Sequence, residues 1–109
     1  MEVKFANKNL RAICEKQGLA RTKLGDVCAH KLRTRLADLE AVDRVTELVA
    51  GRPHALTGSR HGQFAVDLAG GKRLVFTPSN DPVPRRLDES IDWSGVTIIR
   101  IDYIGDYHE

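Results

Sequence analysis

The segment from Gln63 to Thr77 restricts the possible folds of this chain more than any other. Phe64, Val66 and Leu68 alternate with Ala65 and Asp67, and after a short gap Leu74 and Phe76 flank Val75 in the same period of two. That period belongs to strands with one apolar face and cannot be satisfied by a helix. Between the two runs stands Ala69-Gly70-Gly71-Lys72, whose glycines supply the positive φ angles of a tight connection. The segment is therefore predicted to form an antiparallel hairpin, and a hairpin needs further strands or a helix layer to be stable.

The chain has material for both. Met1 to Ala6 alternates as a short strand with Val3 and Phe5 on one side, and Asn7 is placed to cap a helix running from Lys8 to about Lys16 and ended by Gly18. Leu10, Ile13 and Cys14 form its apolar stripe. A longer helical pattern spans Thr22 to Val42, with Leu24, Val27, Cys28, Leu32, Leu36 and Leu39 three or four residues apart, and a short turn from Arg44 to Val49 closes at Gly51. Beyond Gly51, glycines and prolines cut the chain into short pieces. Pro78 to Ser94 reads as a long irregular connection, and Val96 to Tyr103 as a strand rich in β-branched residues that continues through Ile104 and Gly105. The expected fold class is α+β, with two N-terminal helices packed on a small antiparallel β-sheet. At 109 residues the length suits a single domain over 1–109.

The formal net charge is only +2, so overall charge says little about partners, and its distribution says more. Arg52, Arg60, Lys72 and Arg73, with His54 and His61, stand in a stretch whose acid is Asp67, while the sequence from Asp81 onward is rich in acids. Cys14 and Cys28 lack the spacing of a zinc site or a disulfide framework and are expected to be partly buried thiols. Neither a metal nor another cofactor is expected. No apolar run approaches the roughly 20 residues of a membrane helix, which places the expected site of action in the cytoplasm.

Cleaving RNA by proton transfer requires a group that takes the 2′-hydroxyl proton, one that protonates the departing 5′-oxygen, and cations for the charge on the phosphate. Histidine and arginine suit these roles. His54 and Arg60 flank a glycine-bearing loop, Arg73 opens the returning strand of the hairpin, and Asp106, Tyr107 and His108 follow the last strand. Spacing alone does not establish that they meet.

Together, His54-x-Leu56-x-Gly58-x-Arg60-x-Gly62, the hairpin strand Arg73-Leu74-Val75-Phe76 and Asp106-Tyr107-His108 resemble the HigB-type host-inhibition toxins of the RelE/ParE superfamily, also called plasmid-maintenance killer proteins. The resemblance extends over essentially the whole chain. It implies a type II toxin that cleaves mRNA as an endoribonuclease, usually on the translating ribosome. Its implied partner is a helix-turn-helix antitoxin, through which alone the complex would meet operator DNA. It also implies catalytic roles for His54, Asp106, Tyr107 and His108, with Arg60 and Arg73 binding phosphate. Thr57 departs from the pattern where many relatives carry Lys, and the connection from Pro78 to Ser94 is longer than in compact members; Arg85 and Arg86 within it either replace the missing cation or lie apart.

For several residues the plain structural alternative stays open. Asp106 is a base, an orienter of His108 or an edge charge, and Tyr107 either packs on the sheet or stacks on an RNA base. His30 and His61 are expected to be structural or solvated, and Lys31, Arg33 and Arg35 to form a solvated helix face unless they meet ribosomal RNA. Two other functions compete with RNA cleavage. One is a ParE-like toxin that acts by binding DNA gyrase and needs no catalytic residues, and the other is a non-catalytic domain of an operator-binding complex. A shared fold cannot separate them.

Overall fold

The computed structural model describes residues 1–106. In chain order its elements are strand β1 (Glu2–Phe5), helices α1 (Lys8–Glu15), α2 (Gln17–Leu24) and α3 (Asp26–Ala41), and strands β2 (His54–Ala55), β3 (Phe64–Asp67), β4 (Arg73–Pro78) and β5 (Ile98–Gly105). Short 3₁₀ turns occur at Val45–Glu47, Gly58–Arg60 and Trp93–Gly95. The five strands form one sheet in the order β1-β5-β4-β3-β2, and the architecture is the expected α+β.

The predicted hairpin is present. Phe64 faces Phe76, Ala65 faces Val75, Val66 faces Leu74 and Asp67 faces Arg73. Leu68 donates its N–H to the Lys72 carbonyl at 2.8 Å across the glycine-bearing turn. Phe64, Val66, Leu68, Leu74 and Phe76 join Leu32, Leu36 and Leu39 of α3 and Ile99 and Ile101 of β5 in one core. Phe76, Leu74, Ile99 and Ile101 are fully buried, which makes this layer the main hydrophobic stabilisation of the molecule.

Two details differ from the sequence-based expectation. The sheet is mixed rather than antiparallel throughout, because β1 runs parallel to β5, pairing Val3 with Ile99 and Phe5 with Ile101. The helices crossing between them make that parallel return possible. The helical layer also has three helices instead of two. The break falls at Lys16, which leaves helical geometry at φ −117°, ψ 104°, and Gly18 lies inside α2. The expected long helix is interrupted at Gly25, whose φ of 84° lies where an L side chain would be strained. The break rotates the start of α3, so Val27 is 73% exposed and Ala29 takes the buried position instead.

Local capping follows ordinary chemistry. The Asn7 Oδ1 accepts the Leu10 N–H at 2.9 Å, as expected of an N-cap. The Met1 amino group donates to the carbonyls of Leu39 and Glu40 at 3.0 and 3.1 Å, and to that of Val42, satisfying acceptors at the C-terminal end of α3. The connection after β4 is irregular, as predicted, but well bonded. Arg86 N–H donates to the Ser90 carbonyl and Asp92 N–H to the Pro84 carbonyl, and Arg85 pairs with Ile91 in a single bridge.

Candidate functional site

Strand alternation that sends Phe64 and Val66 into the core sends Ala65 and Asp67 to the other face. The registers align one row on that open face: His54 opposite Ala65, Ala65 opposite Val75, Val75 opposite Tyr103. Leu56, Ala65 and Val75 form a small apolar floor against which Tyr103 packs. A second row lies two residues further along, with Asp67 opposite Arg73 and Arg73 opposite Gly105. His54 and Arg73 thus stand on a half-apolar, half-charged surface not covered by the helices.

His54, on β2, is half-buried. Its Nδ1 lies 2.7 Å from the Arg52 carbonyl. A carbonyl only accepts, so the bond places the proton on Nδ1, and in the neutral ring the lone pair is then on Nε2. Arg52 adopts φ 49°, uncommon for a residue with a side chain, and this bend accompanies both of its roles. Its carbonyl holds the imidazole, while its Nε donates to Asp67 Oδ2 at 2.9 Å. Asp67 Oδ1 lies 3.3 Å from Arg73 Nε, so one carboxylate positions two guanidinium groups. Arg35 of α3 donates from Nε to the Asp67 carbonyl at 3.1 Å, tying this cluster to the helical layer beneath.

Arg60 spans the open face. Its Nη1 donates to Gln63 Oε1 at 3.1 Å, and its guanidinium carbon sits 4.8 Å from the centre of the Tyr103 ring, a cation–π contact that orients the charge. The Tyr103 hydroxyl donates to the Asp106 carbonyl at 2.9 Å and fixes the backbone at the end of β5.

Arg73 stands beside the Gly105–Asp106 end of β5 through its register with Gly105, and Arg60 reaches the same strand through Tyr103. His54 is on β2 and Asp106 follows β5, with β3 and β4 between them. Strands β2 and β5 are thus three strand spacings apart, about 14 Å. Tyr107 and His108 lie outside the described residues. Arg52, Asp67 and Tyr103 were not singled out as site residues by sequence reasoning. Asp67 was nonetheless visible as the acid within the basic stretch, and alternation already put it on the face opposite Val66. Among the described residues no group of three His, Cys, Asp or Glu side chains is arranged to hold a metal ion, and no helix is long and apolar enough to cross a membrane.

No protein-family model matches the sequence, and no curated protein is similar to it. Solved structures are similar in fold. A YoeB/ParE toxin from Agrobacterium tumefaciens superposes with a TM-score of 0.62 at 9% identity, covering 99% of this chain and 100% of that one. A chain of the YoeB-YefM complex from Staphylococcus aureus gives 0.58 at 14% identity, covering 100% and 98%. The YoeB dimer from Staphylococcus aureus gives 0.57 at 15%, with the same coverage. At such identities the likeness is one of fold. The chain has the α+β fold of YoeB/ParE-type toxins, with helices on one face of the sheet and an arginine-rich face on the other.

Proposed function

We propose that this protein is the toxin of a type II toxin-antitoxin pair, of the HigB type, and that it cleaves mRNA in the cytoplasm without a metal, on the translating ribosome. The observation that carries this reading is His54 on the uncovered sheet face, with its Nδ1 proton committed to the Arg52 carbonyl, on the same face as Arg60 over Tyr103 and Arg73 beside Asp67. A pure binding surface has no need of an imidazole held in one tautomer.

In the proposed reaction the 2′-oxygen attacks the adjacent phosphorus while a base removes its proton. The bond from phosphorus to the 5′-oxygen breaks, and that oxygen takes a proton from an acid, leaving a cyclic phosphate and a 5′-hydroxyl. His54 Nε2 serves as one proton handler. Arg60 and Arg73 bind the phosphate and stabilise its added charge, His108 is the second proton handler, and Tyr107 positions the base or the 2′-hydroxyl. Asp106 assists the proton transfer. A helix-turn-helix antitoxin covers the toxin and carries the pair to operator DNA.

The test is induction in bacteria of the full chain and of His54→Ala, with transcript lengths and folding checked together. The expected result is growth arrest with shortened transcripts for the native protein, and at least about a hundredfold slower cleavage for the folded variant. Arrest with intact transcripts and trapped gyrase-DNA complexes would overturn the ribonuclease reading in favour of a ParE-like one.

A further inference from the structure

A groove of about 340 Å³ opens at the β2 edge of the sheet, between the loop that joins β2 to β3 and the connection that joins β4 to β5. We propose that this groove takes one unstacked nucleobase of single-stranded RNA, whose adjoining phosphate lies on Arg60. The proposal rests on the ribonuclease reading and adds to it a base-binding subsite built from the segment 79–95.

The walls are chemically suited to a base. Trp93 and His61 contribute aromatic rings, Ile91 and Leu56 apolar contact, Gln63 an amide and Arg85 a guanidinium. Flat π surfaces with neighbouring guanidinium groups bind splayed-out bases by stacking, largely without regard to sequence. The volume is at the lower end of small-molecule sites, about 300–1,000 Å³. Arg85 and Glu89 both line the groove, so its charge is balanced. A balanced lining favours the uncharged base inside and leaves the phosphate outside.

The position of the phosphate follows from the shared segment. Gln63 lines the groove and accepts from Arg60 Nη1 at 3.1 Å, so the wall of the groove and the cation above Tyr103 are joined by one hydrogen bond. A nucleotide spans that junction with its base on one side and its phosphate on the other.

The groove is also preformed. Trp93 packs on Phe64 with ring centres 4.9 Å apart. Arg85 Nη1 donates to the Glu89 carbonyl at 2.8 Å. Asp92 Oδ1 accepts the N–H of Ser94 at 3.1 Å and its hydroxyl at 2.5 Å, capping the turn that presents Trp93. A wall held this way loses little freedom when a ligand enters.

Trp93 is the sole tryptophan of the chain, so its emission reports on the groove directly. The full-length protein is titrated with a short 2′-O-methyl oligonucleotide, which cannot be cleaved through its 2′-oxygen, while anisotropy of a labelled copy reports binding independently. The expected result is saturable quenching of Trp93, lost when one base is removed to give an abasic site although anisotropy still shows binding. Arg85→Ala and His61→Ala, on opposite walls, are each expected to weaken binding about tenfold in protein whose circular dichroism is unchanged. Binding without any change in Trp93 emission, and with full affinity in both variants, overturns the base site and leaves the ribonuclease reading standing. No oligonucleotide binding, together with intact transcripts in arrested cells, overturns both.

Discussion

The two faces of the sheet are made by the same strands and obey opposite rules. On the helix-covered face Phe76, Leu74, Ile99 and Ile101 are wholly buried, and the described residues include no buried polar or charged residue in the core. On the open face Ala65 and Val75 are equally buried, yet His54 and Tyr103 share their row and Asp67 and Arg73 form the next row on the same face. The lesson is that burial on the open face serves as a floor. Two small apolar residues and a tyrosine support groups whose value lies in their chemistry, so substitutions on the two faces should separate stability from activity.

Phe76→Ala should have the largest effect on stability. It removes a fully buried ring from the helix-covered core and is expected to cost about 3–5 kcal/mol in chemical denaturation. A loss below about 1 kcal/mol would mean that the core of this face is not where stability resides. Asp67→Ala, on the open face, should do the reverse. The ion pairs it removes are half-exposed, with side-chain exposures of 64% for Arg52, 33% for Asp67 and 30% for Arg73, so the stability change should stay within about 1 kcal/mol. Releasing Arg52 and Arg73 from their shared anion should raise non-specific RNA affinity and steepen its salt dependence by about one phosphate contact. Cleavage should nevertheless fall about tenfold as the guanidinium groups lose their placement. An unchanged salt slope would show that Asp67 does not restrain these arginines.

The smallest effect belongs to the edge of the helical layer. Burial, and secondarily the neighbouring Glu15 carboxylate, push the Cys14 thiol up to about 12. Because burial penalises the thiolate, this group leaves stability untouched below its ordinary value of 9.0 and lowers it as pH rises from there toward 12. Alkylation of Cys14 at neutral pH should therefore be slow in the native protein and fast in denaturant. Equal rates would mean that the α1 edge opens freely.

Much of this comparison was legible in the sequence. Alternation of Phe64, Val66 and Leu68 against Ala65 and Asp67 assigned each residue its face, and Ala69-Gly70-Gly71-Lys72 marked the turn between β3 and β4. The site was only half legible. His54, Arg60 and Arg73 were identifiable by type and spacing, but Tyr103 looked like one more aromatic strand residue until Arg60 was found above its ring. Trp93 was lost within a connection without periodicity, because the bonds that shape 79–95 run between individual backbone and side-chain groups and leave no repeating pattern.

What the sequence determined by itself is the local order: which residues are strand or helix, which side of a strand each occupies, and where the chain turns. These follow from backbone geometry and side-chain period over a few residues. The tertiary structure alone decided that β5 lies between β1 and β4, that β1 runs parallel to it, and that Gly25 divides the helical layer. Strand order depends on contacts between residues far apart in the chain, settled by which apolar faces can be covered together. That order sets the strands of His54 and Tyr103 about 14 Å apart across the sheet, with Arg60 reaching over to the Tyr103 ring.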